Sequence, residues 1–162
     1  SRLRRLEDME PEYEEVFLPA FLSSLEESAR ILCVQNGKKL YLNNGASDGR
    51  LSVDRAFISQ VCNNLMANAV RYARDAVTLS FSLQDRGLLL TVADDGKGFD
   101  PDSVQEAVKP YFTQESDRSE HFGLGLYISK LLCGRHGGCL KIENTADGAK
   151  VSAFFGGDKY KK

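Results

Sequence analysis

Residues 92–98 read VADDGKG: an apolar run stops at two carboxylates, and glycines follow on either side of a lysine. A carboxylate at the mouth of a strand can accept from an exocyclic amine. Glycines let a planar base or a phosphate approach the backbone. A tight turn after a strand is the plainer use of Asp-Gly. A second constellation is DRAFISQVCNNLMANAVRYAR, residues 54–74. At 100° per residue, Ile58, Cys62, Leu65, Met66, Ala69 and Ala73 form one apolar face, and Asn64, Asn68, Arg71 and Tyr72 border it. Solvent-facing helix positions more often take Glu, Lys or Gln than Asn, so two amides four apart mark a site as readily as an ordinary flank. In the third stretch, FGLGLYIS, Gly123 and Gly125 precede a helix whose amino-terminal N–H groups and dipole favour a phosphate. Close packing is the plainer use of such glycines. The GxxxxGK[ST] pattern is missing, and these glycines do not fit GxGxxG after a strand, so a P-loop and a dinucleotide fold are excluded.

These residues need elements to hold them. Pro19 opens a predicted helix, with Phe21, Leu22, Leu25, Ala29 and Leu32 on one face. ILCVQNGKKLYLNN places Asn36-Gly37 between apolar runs, which predicts a β-hairpin. Ser52 is the expected N-cap of the Asn-bearing helix, with Asp54 in its first turn and its end near Arg74. Val77, Leu79, Phe81 and Leu83 alternate with small polar residues, predicting a half-buried strand. The turn QDRG leads from it into LLLTVADD. A glycine-led helix over GLGLYISKLLCGRHGG and a closing hairpin, CLKIEN with KVSAFF, complete the chain. The order predicts an α+β fold, with helices on one face of a mixed, largely antiparallel sheet.

The 162 residues, 42% of them hydrophobic, suffice for one core. A formal net charge of −2 gives no general pull toward nucleic acid or an anionic membrane. No run of eighteen apolar residues could span a bilayer, and the amino terminus lacks the pattern of a secretory signal. Cys33, Cys62, Cys133 and Cys139 have no metal-ligand spacing and read as reduced cysteines in apolar stretches. A start at Ser1 is expected of a piece cut from a longer protein, with residues 1–15 a linker or tail of a preceding helical domain. Residues 16–157 would form the working domain, and 158–162 a C-terminal tail.

Taken in order, NNLMANAVRYA, DDGKGF, KPYF and GLGLYIS resemble the N, G1, F and G2 boxes of the ATP-binding catalytic domain of two-component sensor histidine kinases. That domain belongs to the GHKL superfamily, shared with gyrase and MutL. The resemblance covers nearly the whole chain and implies a Bergerat-type two-layer sandwich with about three helices over one sheet face. It implies ATP and Mg²⁺ as ligands. Asn68 would hold the metal and Asn64 would support metal or phosphates. Arg71, where the family usually has Lys, would neutralise phosphate charge, and Tyr72 would pack on adenine. Asp94 would read the adenine amine, with Gly96 and Gly98 making room for it. Residues 100–122 would be a lid carrying Phe112, and Gly123, Leu124, Gly125 and Leu126 would bring backbone N–H groups to the phosphates. Asp95 stands at the variable position and is assigned no role.

The implied activity is transfer of the ATP γ-phosphoryl group to a histidine on a separate dimerisation domain, with a response regulator downstream. The parent would be a cytoplasmic homodimer, anchored in the membrane or not, and the fragment a monomer without nucleic-acid partners. Neither His121 nor His136 has a phosphoacceptor's context, so self-labelling is not expected. Two departures stand out. His121 and Phe122 occupy the place of an extra G2 glycine, and GAKVSAFF lacks the small hydroxyl residue common after its glycine. Rival readings are a hydrolytic GHKL ATPase, a serine-directed anti-sigma kinase and a degenerate nucleotide-binding scaffold. Hydrolases of the superfamily usually carry Glu four residues before the metal-binding Asn, where this chain has Asn64, and an amide is no general base.

Overall fold

Leu18, Leu22, Leu25, Ala29 and Cys33 recur at helical spacing, and all five are buried along helix α1, Leu18–Gln35. Fully burying one such leucine stabilises by about 1.5–3 kcal/mol, so the stripe fixes which face of α1 meets the core. Pro19 sits in the first turn, as expected. A computed structural model describes residues 8–46, 49–100 and 125–157. The lid reading of residues 100–122, Asp100 apart, with Phe112, and the assignments to Gly123 and Leu124 lie outside the described residues.

The hairpin expected at Asn36-Gly37 is not formed; those residues end α1. Gly37 has φ +67°, Lys38 N–H donates to Cys33 O at 2.9 Å, and Gly37 N–H donates to Val34 O at 3.2 Å. This paired bonding closes the helix and satisfies its last carbonyls. ILCV is therefore the final turn of α1, with Cys33 inward and Ile31 and Val34 outward. Strand β2, Lys39–Asn44, then pairs in parallel with β4, Ala76–Gln84.

Ser52 is likewise not an N-cap. It lies in strand β3, Arg50–Val53, opposite Glu15 of the short strand β1, Glu14–Phe17. The cap of helix α2, Arg55–Tyr72, is Asp54, whose Oδ1 accepts from Phe57 N–H at 3.1 Å. In the β1–β3 ribbon, unforeseen in the sequence, β1 leads into α1 and β3 into α2.

The main sheet has the order β2-β4-β5-β7-β6, with β5 Gly87–Asp94, β6 Cys139–Asn144 and β7 Ala149–Phe155. All pairs but β2–β4 are antiparallel. The closing β6–β7 hairpin forms as predicted. Asp85 (φ 50°) and Arg86 (φ 65°) make the two-residue turn that matches the twist of β4 and β5. Val77, Leu79, Phe81, Leu88, Leu90, Val92, Val151, Ala153 and Phe155 are buried on one face, while Leu83 at the end of its strand stays 47% exposed. Helices α1, α2 and α3, Gly125–Arg135, cover that face, and α2 touches both of the others. This is the predicted α+β architecture. Cys33, Cys62 and Cys133 are buried free thiols, and Cys139 is exposed.

Candidate functional site

Alternation along β5 puts Leu88, Leu90, Val92 and Asp94 on the helix-covered face, so an apolar row ends in a carboxylate. Asp94 pairs across the sheet with Val77 of β4 and Ala149 of β7, both buried. Burial pushes the Asp94 carboxyl above its ordinary pKa; the Gly96 N–H, donating to Oδ1 at 2.8 Å, opposes this, and the neighbouring Asp95 charge adds to it. Asp94 Oδ2 has no hydrogen-bond partner among the described residues.

The loop after Asp94 is shaped by close approaches. A Cβ on Gly96 would collide with the Tyr72 carbonyl at the end of α2. Gly98 takes φ +87° with the Asn144 amide beside it, and both features favour glycine. Asn144 Oδ1 accepts from Phe99 N–H at 2.6 Å, and its Nδ2 donates to Phe99 O at 2.8 Å. The last hairpin thereby grips the chain where it leaves the loop.

On α2, Asn64 and Asn68 are half-buried one turn apart. Asn64 Nδ2 reaches the Gly125 carbonyl at 3.5 Å and Ser129 Oγ at 3.4 Å, both long contacts to α3. The Asn68 side chain makes no hydrogen bond among the described residues, and Arg71 is exposed in the last turn. Tyr72 is half-buried as the final helical residue. Gly125 begins α3 with open space where a side chain would stand, whereas Leu126 is 1% exposed and packs in the core. Only the backbone of Leu126 is left for a ligand.

The structure thus brings Tyr72 to Gly96, and Asn64 to Gly125. Sequence reasoning missed four residues that hold this arrangement. Asp95 accepts from the backbone N–H groups of Arg74, Asp75 and Ala76. Burial alone would raise its pKa, but the N–H groups of Asp75, Ala76 and Arg74 outweigh this and hold it below the usual carboxylate range. Lys38 Nζ donates to the carbonyls of Ala73 and Arg74 at 2.8 and 3.2 Å. Asn144 clamps Phe99, and Gly148 lets β7 approach the Asp94 carbonyl. Most of these bonds go to backbone, which carries no residue signature; the Asp-Gly of the closing hairpin was the one visible hint.

A hard divalent cation fits this donor set in one way. No group of three or more His, Cys, Asp or Glu that could hold a metal occurs among the described residues. The uncommitted Asn68 amide could contribute one oxygen, and the rest of the shell would have to come from water and the ligand's phosphates, as such ions commonly accept.

Residues 53–157 match the family model described as histidine kinase-, DNA gyrase B- and HSP90-like ATPase. The chain belongs to this ATPase family. Its curated relatives include the sensor protein kinase PilS of Pseudomonas aeruginosa, 34% identical over 122 residues, 71% of this chain and 22% of the relative. The sensor histidine kinase ZraS of Salmonella typhimurium is 33% identical over 98 residues, covering 59% of this chain and 20% of the relative. The chain thus spans about a fifth of the length of these relatives. Among solved structures, the catalytic domain of histidine kinase ThkA superposes with a TM-score of 0.79 at 20% identity, covering 93% of this chain and 99% of that one. Histidine kinase AdeS of Acinetobacter baumannii gives 0.75 at 19% identity, over 96% and 75%. The fold is that of histidine kinase catalytic domains.

Proposed function

We propose that the chain binds Mg-ATP and presents its γ-phosphoryl group to a histidine on a separate dimerisation domain. The carrying observation is Asp94: a half-buried carboxylate at the end of an apolar row, with one oxygen committed to Gly96 and the other open. An adenine amine is the donor such a group would take. Tyr72, whose carbonyl fills the space beside Gly96, would flank the base, and Arg71 would offset phosphate charge. Asn68 would supply an amide oxygen to Mg²⁺, and the ion would neutralise charge on the phosphates. Catalysis is then positioning and charge neutralisation more than proton abstraction. In the step itself, the bond between the γ-phosphorus and the β–γ bridging oxygen breaks and a nitrogen–phosphorus bond forms. ADP leaves and the imidazole loses its proton.

Hydrolysis is disfavoured because Asn64, in the place of a base, is an amide turned toward α3. A degenerate scaffold is disfavoured by the open Asp94 and Asn68 groups. The expected linker to the acceptor domain would reach the catalytic fold at Met9–Glu15, which is held by Arg135, Asp54 and the pairing of Glu14 and Glu15 with β3. Among the described residues no helix is long and apolar enough to cross a membrane. The likeness to sensor histidine kinases is what supports reading the parent as a cytoplasmic homodimeric kinase that feeds a response regulator. Calorimetric titration with ATP, with and without Mg²⁺, tests the reading. Micromolar-range binding that tightens with the metal supports it, and no heat with either sinks it.

A further inference from the structure

Asp95 has partners 19 to 21 residues away, all backbone N–H groups of the connector between the end of α2 and the first residue of β4: Arg74 at 2.8 Å, Asp75 at 2.9 Å and Ala76 at 3.2 Å to one oxygen, and Asp75 again at 3.1 Å to the other. A local turn would have bonded the carboxylate to its own neighbours. The same connector is held with opposite polarity by Lys38, whose ammonium donates to the carbonyls of Ala73 and Arg74. A third tie comes from Lys39 N–H, which donates to Asp75 O at 2.8 Å. Anion on the amides and cation on the carbonyls together leave the four residues Ala73–Ala76 little freedom to shift.

We propose that Asp95 is a positioning residue for base recognition: with Lys38 it locks the C-terminal end of α2, and so Arg71 and Tyr72, in register with the strand end that carries Asp94. The inference rests on the reading of Asp94 as the group that receives the adenine amine. Two features make the role geometric more than stabilising. The bonds from Arg74 and Asp75 lie at the surface, where water replaces a lost acceptor at little cost. The covalent step from Asp95 to Asp94 is one residue, and Gly96 touches the Tyr72 carbonyl, so slack in the connector appears at once on both sides of the base.

The experiment measures affinity of the 162-residue chain and its Asp95→Ala, Asp95→Asn and Lys38→Met variants for ATP and, separately, GTP, together with thermal unfolding. Guanine offers a carbonyl where adenine offers the amine, so the ratio of the two affinities reports how well Asp94 is aimed. Asp95→Ala is expected to weaken ATP roughly tenfold and to narrow the ATP:GTP ratio, with a small change in melting temperature. Asp95→Asn, which keeps an acceptor oxygen, should restore part of the ratio, and Lys38→Met should change it in the same direction as Asp95→Ala but less. An unchanged ratio in Asp95→Ala, or equal weakening of both nucleotides alongside a large fall in melting temperature, overturns the inference while leaving the function standing. Failure of the unaltered chain to bind ATP would overturn both.

Discussion

The backbone N–H of Asp54 donates to Nε2 of His136 at 2.9 Å, across 82 positions of sequence, joining the N-cap of α2 to the residue that follows α3. Because an amide can only donate, Nε2 must be unprotonated, and the proton sits on Nδ1, which donates to the Gly156 carbonyl at 2.7 Å. The ring is fully buried, with Tyr13 at 5.0 Å, Phe155 at 5.4 Å and Phe57 at 6.0 Å between ring centroids. Asp54 Oδ2 in turn accepts from Glu12 N–H at 2.8 Å, and Arg135 Nε donates to Met9 O at 2.9 Å. One neutral imidazole therefore ties together the entry segment, two helices and the end of β7.

Stability should fall as the solution is acidified through the ordinary histidine range. Burial lowers the His136 pKa from 6.5, while its backbone surroundings, the Gly156 carbonyl and the Asp54 charge partly oppose the shift. Below about pH 6.5 the unfolded chain takes up a proton that the folded chain refuses, so stability present above that pH is lost as pH drops toward the folded-state value. Urea unfolding at pH 7.5, 6.5 and 5.5 measures this slope. His136→Gln should cost about 1–3 kcal/mol at pH 7.5 through lost packing and bonding, and should flatten the slope between 6.5 and 5.5. A slope unchanged in the variant would remove His136 as its source.

Much of this was legible in the sequence where the signal was periodic. Leu22, Leu25 and Ala29 foretold the buried face of α1, and Val77, Leu79 and Phe81 that of β4. The two misread places share a cause. Asn36-Gly37 serves a hairpin and a helix terminus equally well, because both need a residue at positive φ; burial of Cys33, a tertiary fact, decides between them. Ser52 and Asp54 are both good caps, and the choice falls to Asp54 because Ser52 pairs with Glu15, a strand partner that local pattern does not announce. At the site, Asp94, Asn64 and Asn68 stood out by type and spacing. Asp95, Lys38 and Asn144 did not, because they hold backbone.

Replacing Asp94 by Asn should abolish measurable ATP binding. The new amide can turn its own N–H₂ toward the adenine amine, setting donor against donor in a site that already removes water. Secondary structure should be retained, since the bond to Gly96 N–H can be kept by the amide oxygen. Calorimetry paired with circular dichroism checks both halves, and an unchanged affinity would reject the base-reading role.

Asn68→Ala should separate metal from nucleotide. Its amide makes no hydrogen bond among the described residues, so thermal stability should shift by less than about 1 kcal/mol, the range of half-exposed substitutions away from special contacts. ATP affinity without Mg²⁺ should stay near that of the unaltered chain, and the tightening produced by Mg²⁺ should disappear. If Mg²⁺ still enhances binding to the same degree, the metal is held elsewhere.

Incubation with γ-labelled ATP should leave the chain itself unlabelled, while a supplied histidine-bearing helical domain takes up label. A phosphoacceptor needs an imidazole nitrogen that reaches solvent and can attack in line with the leaving group. The chain has two histidines. His136 has no exposed surface, and both of its nitrogens are engaged, by Asp54 N–H and by Gly156 O. Phosphorylating it would require opening the joint between α2, α3 and β7. His121 belongs to the expected lid and stands outside the described residues; its sequence context, EHFGLG, does not show the amphipathic pattern expected around an acceptor histidine. Acid-labile, alkali-stable label on the chain alone would show that one of them serves as acceptor, and His121→Ala would then identify which, since loss of label in that variant leaves His136 uninvolved.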